Sequence, residues 1–287
     1  MSESVSILML GHNKAEYTRR SLDALLHSTL RPLQVVLVNN GSTDHTATVF
    51  DDFRQRAESQ GVRVDVLNLP GISSAITGRN QGMALLKGAY WTFLDNDVCV
   101  RSRTWLERLR AVLAADPKIG VVGPKLVYPL APHDIQCAGC AITPAGQVIF
   151  CGRGEAHANP VWNVRRECQT LISACWMMPA HVATAAGELD EQFSPVQFED
   201  IDYCYRIREL GYRCVYEPAV EMYHFENVTT GHTGALNYPY LTVKNGLKFK
   251  TQWKHRFEHE GGPLAWEWLP IASVKIEDVP AELELLP

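Results

Sequence analysis

Two aspartates one residue apart, Asp95 and Asp97, follow directly on the apolar run Tyr90–Leu94. Carboxylates at that spacing beyond the carboxyl end of a strand can share a hard divalent cation, with phosphate oxygens and water completing the shell. Asp and Asn also favour strand-end turns, so Asp95-Asn96-Asp97 alone reads equally as a polar turn. A second acidic group, Glu199-Asp200-Ile201-Asp202, opens a helical pattern carrying Ile201, Cys204, Tyr205 and Arg208. Residues two apart lie roughly 200° around a helix axis, so Asp200 and Asp202 cannot face one site. Asp202 stands four before Arg206, the spacing of an ion pair on one helix face. That leaves Asp200 as either an amino-terminal cap or an exposed general base. His224 follows the run Val220–Tyr223 and precedes Phe225-Glu226-Asn227. Its imidazole reads as a hydrogen-bonded structural group or as a nitrogen ligand completing a Mn²⁺ or Mg²⁺ shell. Asn39 ends another apolar run, in Asn39-Asn40-Gly41-Ser42-Thr43-Asp44. Its carbonyl and amide match the edge of uracil or thymine, while an Asn-Gly turn with a Ser/Thr/Asp cap explains the same residues.

The elements that must position these groups alternate in type. Ser6–Leu10, Gln34–Val38, Val62–Leu67, Tyr90–Leu94 and Ile119–Val122 read as strands, the second apolar enough to be buried on both faces. Between them come helical patterns: one with Leu22, Leu25 and Leu26, one with Val49, Phe50, Phe53 and Ala57, one from about Ser74 to Lys87, and one with Trp105, Leu106, Leu109 and Val112. Asn13 with Glu16 has the form of a capping box for the first. This order predicts an α/β fold with a doubly wound, mostly parallel sheet and a smaller mixed or antiparallel part. From Tyr128 to Glu167 helical periodicity gives way to Gly, Pro and Cys, the pattern of short antiparallel strands and loops. Beyond it, a buried run at Leu171–Met178, helices near 180–186 and 200–210, and strands near 212–216 and 220–223 are expected. A helix over 236–255 carries Lys244, Lys248, Lys250 and Lys254, with Arg256 just beyond, and the last twenty residues read as a loosely packed acidic tail.

Composition bounds the function. With 287 residues, 46% hydrophobic, and a net charge of −5, the chain can bury a sizeable core and lacks the basic excess of a nucleic-acid binder. No run approaches the roughly 20 apolar residues of a membrane span. The first ten residues contain Glu3 and lack a basic segment, which reads as a first strand rather than a secretory signal. Eight scattered cysteines are then expected to be reduced thiols of a cytoplasmic protein.

Taken together in order, these motifs identify a family. From Val5 to about His232 the chain resembles the family-2 inverting glycosyltransferases of the GT-A fold, within them the rhamnosyltransferase-like bacterial branch. The resemblance rests on Ser6-Ile7-Leu8-Met9-Leu10-Gly11-His12-Asn13, Val36-Leu37-Val38-Asn39-Asn40-Gly41-Ser42-Thr43-Asp44, Gly78-Arg79-Asn80-Gln81-Gly82 and Phe93-Leu94-Asp95-Asn96-Asp97. Gly187-Glu188-Leu189-Asp190-Glu191-Gln192-Phe193, Glu199-Asp200-Ile201-Asp202, Gly211-Tyr212 and His224 continue it. The family usually has Asp where this chain has Asn39, and a sequence such as Thr-Tyr-Asn where it has Gly11-His12-Asn13. The resemblance implies a nucleoside-diphosphate sugar donor, UDP- or dTDP-linked, and an acceptor hydroxyl on a saccharide, a lipid-linked glycan or a protein. Leu10, Gly11, Asn13 and Asn39 would surround the base, and Arg79 would approach the diphosphate. Asp95, with its neighbour Asn96, would contact the donor, and Asp97 with His224 would hold Mn²⁺ or Mg²⁺. Asp200 would be the catalytic base, Glu199 an acceptor or sugar contact, and Trp176 a border of the acceptor site.

On this reading, 1–235 is the glycosyltransferase domain, with a nucleotide-binding half at 1–125 and an acceptor-binding half at 126–235, and 236–287 is a helical extension and tail. The basic run 244–256 is a candidate contact for an anionic membrane surface at the inner face or for a partner subunit, a second copy of the chain included. Three rivals stand beside it. A haloacid-dehalogenase-type phosphatase also uses Asp-x-Asp after a strand, but on its first strand. A zinc module could use Cys137, Cys140 and Cys151 with His133 or His157. A sugar-nucleotide-binding scaffold protein could retain the fold without catalysis.

Overall fold

The computed structural model describes residues 4–32, 34–226, 228, 237–264 and 274–287. The expectations placed on Asn227, on His232, on Leu236 and on the boundary at 235 lie outside these residues. The first half follows the predicted alternation: β1 (Val5–Gly11), α1 (Ala15–Leu25), β2 (Gln34–Asn39), α2 (Thr46–Glu58), β3 (Arg63–Asn68), α3 (Ala75–Met83), β4 (Tyr90–Leu94), a short β5 (Val98–Val100), α4 (Trp105–Ala115) and β6 (Ile119–Val127). Next come β7 (Ile135–Cys137), β8 (Cys140–Ile142), β9 (Val148–Phe150), β10 (Arg166–Cys168), β11 (Cys175–Pro179), α5 (Ala180–Ala186), α6 (Glu199–Glu209), β12 (Arg213–His224) and α7 (Tyr238–Phe257).

The central sheet runs β10-β12-β6-β11-β4-β1-β2-β3, with β5 and β7 paired at β12 and β6. Strands β4, β1, β2 and β3 are mutually parallel, as are β6 and β12. Period-two alternation sends Ile7, Met9, Val35 and Leu37 to the core under α1, α2 and α4. Leu8, Val36 and Val38 face the opposite core with residues of α3, α5, α6 and α7. Both faces are covered, which is why β2 reads as an unbroken apolar run. Close approach of α3 depends on Gly82, where an added Cβ would stand 2.3 Å from Leu8 Cδ1.

The segment 175–179, in the expected buried run, is an antiparallel strand inserted between β4 and β6, so the mixed part of the mostly parallel sheet lies at its centre. Several other expectations are corrected. The two strands expected near 212–216 and 220–223 are one strand, β12, whose register slips between Glu217 and Glu221. Pro218 sits in that slip, where it has no N–H to offer the ladder. Asn13 and Glu16 do not form a capping box. Asn13 and Lys14 both have positive φ, and the Ala15 N–H donates instead to Asp44 Oδ2 at 3.0 Å. The last residues are not loose: Ser102 bridges Leu286, Arg101 pairs with Glu284 at 3.1 Å, and Val274 and Val279 are buried. Trp176 is fully buried between Phe93 and Tyr203, with ring centroids 5.7 and 6.0 Å away, so it does not border an open acceptor site. It stands on an interior strand whose face is covered by α6.

Helix α7 buries Leu241, Asn245, Gly246, Phe249, Trp253 and Phe257. Of its basic residues, Arg256 pairs with Glu209 and Glu260, Lys254 with Glu258, and Lys248 donates to the Gln192 carbonyl. The basic run is thus a partly neutralised outer face. Among the described residues, no helix is long and apolar enough to cross a membrane.

Candidate active site

The site assembles where β1, β2 and β4 end, the edge at which open α/β sheets bind ligands. Two pairings that a local pattern does not reveal complete it. Antiparallel β11 enters beside β4, so that the Asp95 N–H donates to the Ala174 carbonyl at 2.9 Å and Ser173 lies next to the acidic turn. Strand β12 runs out against β5, with His224 opposite Val98, and the Phe225 N–H donates to the Asp97 carbonyl at 3.1 Å. Asp97 and His224 therefore meet, with His224 Nε2 3.4 Å from Asp97 Oδ1.

Asp95, Asp97 and His224 place one ligand atom each within 4.8 Å of one another, and among the described residues no other His/Cys/Asp/Glu group of three does so. Two hard carboxylates and one imidazole suit Mn²⁺ or Mg²⁺, with Mn²⁺ tolerating the nitrogen better. The residues present thus fit the divalent ion that the resemblance implies. Cys137 and Cys140 have Sγ atoms 3.6 Å apart, but neither Cys151 nor a histidine joins them in such a group. The zinc module is not assembled.

Arg79 links the two halves. Its Nη2 donates to Asp95 Oδ1 at 2.6 Å, and its Nη1 to Glu199 Oε1 at 3.1 Å and Ser173 Oγ at 3.2 Å. Burial disfavours the guanidinium charge, but Asp95, Glu199 and Asp200 outweigh it and hold Arg79 protonated. The three bonds to Asp95, Glu199 and Ser173 use three of the five guanidinium N–H donors. Asp200 accepts from the Ile201 N–H at 2.8 Å and from the Ser173 N–H at 3.1 Å. Burial raises its pKa above the usual value even though these amide bonds and Arg79 pull it down. Asp202 points elsewhere, bonded to Arg206 at 2.8 Å and to Trp253 Nε1 at 2.8 Å, as its spacing predicted.

The expected base-binding residues sit at the neighbouring strand ends, where Gly11 is opposite Asn39. Leu10 is half-buried against α3. Asn39 donates to Asn68 Oδ1 and accepts from the Ser42 N–H, both at 3.0 Å. Each of its polar atoms then keeps one further hydrogen-bonding direction for a ligand. Asn13 Oδ1 accepts from the Thr43 and Asp44 N–H groups and so braces the loop. Gly41, at φ +66°, meets Gly71 so closely that an added Cβ would stand 2.3 Å from its carbonyl carbon. Asn96 turns away from the acidic cluster, buried and donating to Thr18 Oγ1 at 2.9 Å.

Compared with known proteins, residues 6–136 match the model of glycosyl transferase family 2. Residues 6–136 are a glycosyl transferase family 2 segment. An uncharacterised protein of Sinorhizobium fredii is 30% identical over 236 residues, covering 79% of this chain and 25% of that protein. A pre-mycofactocin glycosyltransferase of Mycobacterium tuberculosis is 28% identical over 220 residues, covering 77% of this chain and 42% of the relative. The chain thus spans from a quarter to about two-fifths of the length of these curated relatives. Among solved structures, GalNAc-T7 with UDP, GalNAc and Mn²⁺ superposes with a TM-score of 0.70 at 15% identity, covering 89% of this chain and 49% of that one. The fold is GT-A. The family match over 6–136, which includes Asp95 and Asp97, leaves the phosphatase reading without support.

Two residues of this candidate site were missed from sequence. Ser173 bonds both Arg79 and Asp200, and Gln136, fully buried on β7, bonds His224 Nδ1. The one available signal was a polar residue within an apolar run, which does not say what it touches. A depression of about 420 Å³ lined by Asn163, Arg165, Glu217, Pro218 and Ala219 is bordered by none of the predicted site residues.

Glu199 is buried, its Oε2 has no hydrogen-bond partner, and its pKa is pushed up to about 7. Burial is the main cause, reinforced by Asp200 and opposed by Arg79. Between the ordinary value of 4.5 and this one, the folded state binds more protons than the unfolded state, so stability falls as pH rises through that window. Glu199→Gln is expected to flatten this part of the Tm-against-pH profile, read by calorimetry from about pH 5 to 8. An unchanged slope would assign the titration to another group.

Proposed function

We propose that the chain transfers a sugar from a nucleoside-diphosphate donor, UDP- or dTDP-linked, to an acceptor hydroxyl with inversion at the anomeric carbon. The observation that carries this is the junction of the Asp95–Asp97–His224 cluster with Asp200 through Arg79 and Ser173. Asp97 and His224 would hold Mn²⁺ or Mg²⁺, with Asp95 as the neighbouring carboxylate. Once bound, the ion would neutralise charge developing on the departing diphosphate, so that no general acid is needed there.

The protein's own groups then have separable tasks. Asn39, Leu10, Gly11 and the loop braced by Asn13 border the base. Asp95 contacts donor hydroxyls, held in place by Arg79. Asp200 takes the acceptor's proton as its oxygen forms the new bond to the anomeric carbon and the bond to the diphosphate breaks on the opposite face. A carboxylate with a raised pKa suits this task, because it holds the proton it removes more firmly. Glu199, whose buried Oε2 has no hydrogen-bond partner in the protein, is assigned to an acceptor or sugar hydroxyl. The GalNAc-T7 complex with UDP, GalNAc and Mn²⁺ supports the donor class and the ion. Bacterial polysaccharide or glycoconjugate assembly is the setting we assign to it.

Thermal shift tests the reading. UDP or dTDP with Mn²⁺ is expected to raise Tm by a few degrees, since ligand at 100 times its Kd adds about 2.7 kcal/mol. The same nucleotides with EDTA should do much less. No shift with any nucleoside diphosphate, with or without Mn²⁺, would overturn the donor assignment. Nucleotide binding without transfer across a panel of donors and acceptors would favour the scaffold reading.

A further inference from the structure

His224 is one of three ligand-bearing groups in the cluster, and a histidine ligates through a nitrogen lone pair. Which nitrogen carries the lone pair depends on what the other one bonds. Strand β7 settles this through Gln136. It pairs antiparallel with β6, Cys137 opposite Leu126 and Ile135 opposite Val127, and holds Gln136 with no exposed surface. Gln136 Oε1 lies 2.6 Å from His224 Nδ1, and Gln136 Nε2 donates to the His224 carbonyl at 3.4 Å. The second contact fixes the amide's orientation, because a flipped amide would set oxygen against carbonyl oxygen. With Oε1 as acceptor, Nδ1 must carry the proton. Nε2 then faces Asp97 Oδ1 at 3.4 Å and is the nitrogen left to ligate an ion once its own proton is given up.

We infer that Gln136 is a positioning residue for the divalent-ion site, fixing the tautomer and ring orientation of His224 from a strand outside the acidic motifs. The inference rests on the ion site proposed above. It accounts for a buried glutamine in a segment otherwise made of short apolar strands, and it gives the 126–167 region a role at the donor end of the site.

The test uses Mn²⁺ alone, with affinity read from the free-ion EPR signal and imidazole ligation from nitrogen modulation in pulsed EPR. Gln136→Leu keeps the volume and removes the acceptor. It is expected to weaken Mn²⁺ binding by about 10–100-fold, the cost typical of losing an outer-shell partner, and to lose the nitrogen modulation. Gln136→Glu keeps an acceptor for Nδ1–H and is expected to retain the nitrogen signal and bind several-fold more tightly than the Leu variant. If the Leu variant fails to fold, the Glu variant decides: nitrogen signal kept with near-parental affinity supports the inference, and its loss overturns it. Parental affinity and modulation in a folded Gln136→Leu would also overturn it, leaving the ion site intact. Absence of Mn²⁺ binding in the parent protein would instead overturn the ion site itself.

Discussion

Asp200→Asn is expected to lower the rate of sugar transfer by about 10²–10⁴-fold, the range for loss of a positioned general base, while donor binding stays within about twofold. The amide is isosteric and its remaining oxygen can still accept one of the two N–H bonds, from Ile201 or Ser173, that the carboxylate now holds. The proton acceptor is lost and little else moves. Steady-state kinetics beside calorimetric titration with the nucleoside diphosphate and Mn²⁺ would separate the two effects. Donor binding lost in parallel with activity would make Asp200 a structural or donor-binding group and remove it as base. Asp202 is no substitute, since Arg206 and Trp253 already engage its carboxylate on the other side of α6.

Asp97→Ala is the complementary experiment. Loss of an outer-shell partner typically costs 10–100-fold in metal affinity, and loss of a direct ligand is expected to cost more than about 100-fold. Mn²⁺-dependent donor binding should fall with it, while binding of the nucleoside alone, which needs the ends of β1 and β2, should persist. Retained transfer at parental Mn²⁺ concentrations would sink the assignment. The variant should remain folded, because Asp97 uses its backbone carbonyl, which alanine keeps, to accept from Phe225. The contrast between the two substitutions carries more than either alone: one separates chemistry from binding, and the other removes binding at its metal-dependent step.

The acidic pair after β4, the Glu-Asp pair opening α6 and the strand-end asparagine were legible because each is a local event. A strand stops, a polar turn begins, and residue type with spacing describes both. Arg79 was legible only through the resemblance, and its position within two ion pairs was not. Asn96 shows the limit of motif reading: it lies between two site aspartates, yet the turn directs its side chain to Thr18 on α1. Trp176 shows the same limit for burial, since an apolar run does not reveal that antiparallel β11 lies inside the sheet.

By itself the sequence determined the alternation of strands and helices, the two-faced burial of β2, and the local ion pair of Asp202 with Arg206. Hydrophobic period, turn chemistry and helical spacing act over a few residues and leave their mark in the chain. Only the tertiary structure decided that β11 enters between β4 and β6, that β12 meets β5, and hence that Ser173 joins Arg79 and Gln136 orients His224. Those outcomes depend on hydrogen bonds and packing between segments far apart along the chain. Each segment alone is compatible with several partners, and the pairing that completes the core on both faces of the sheet is selected only when all of them pack together.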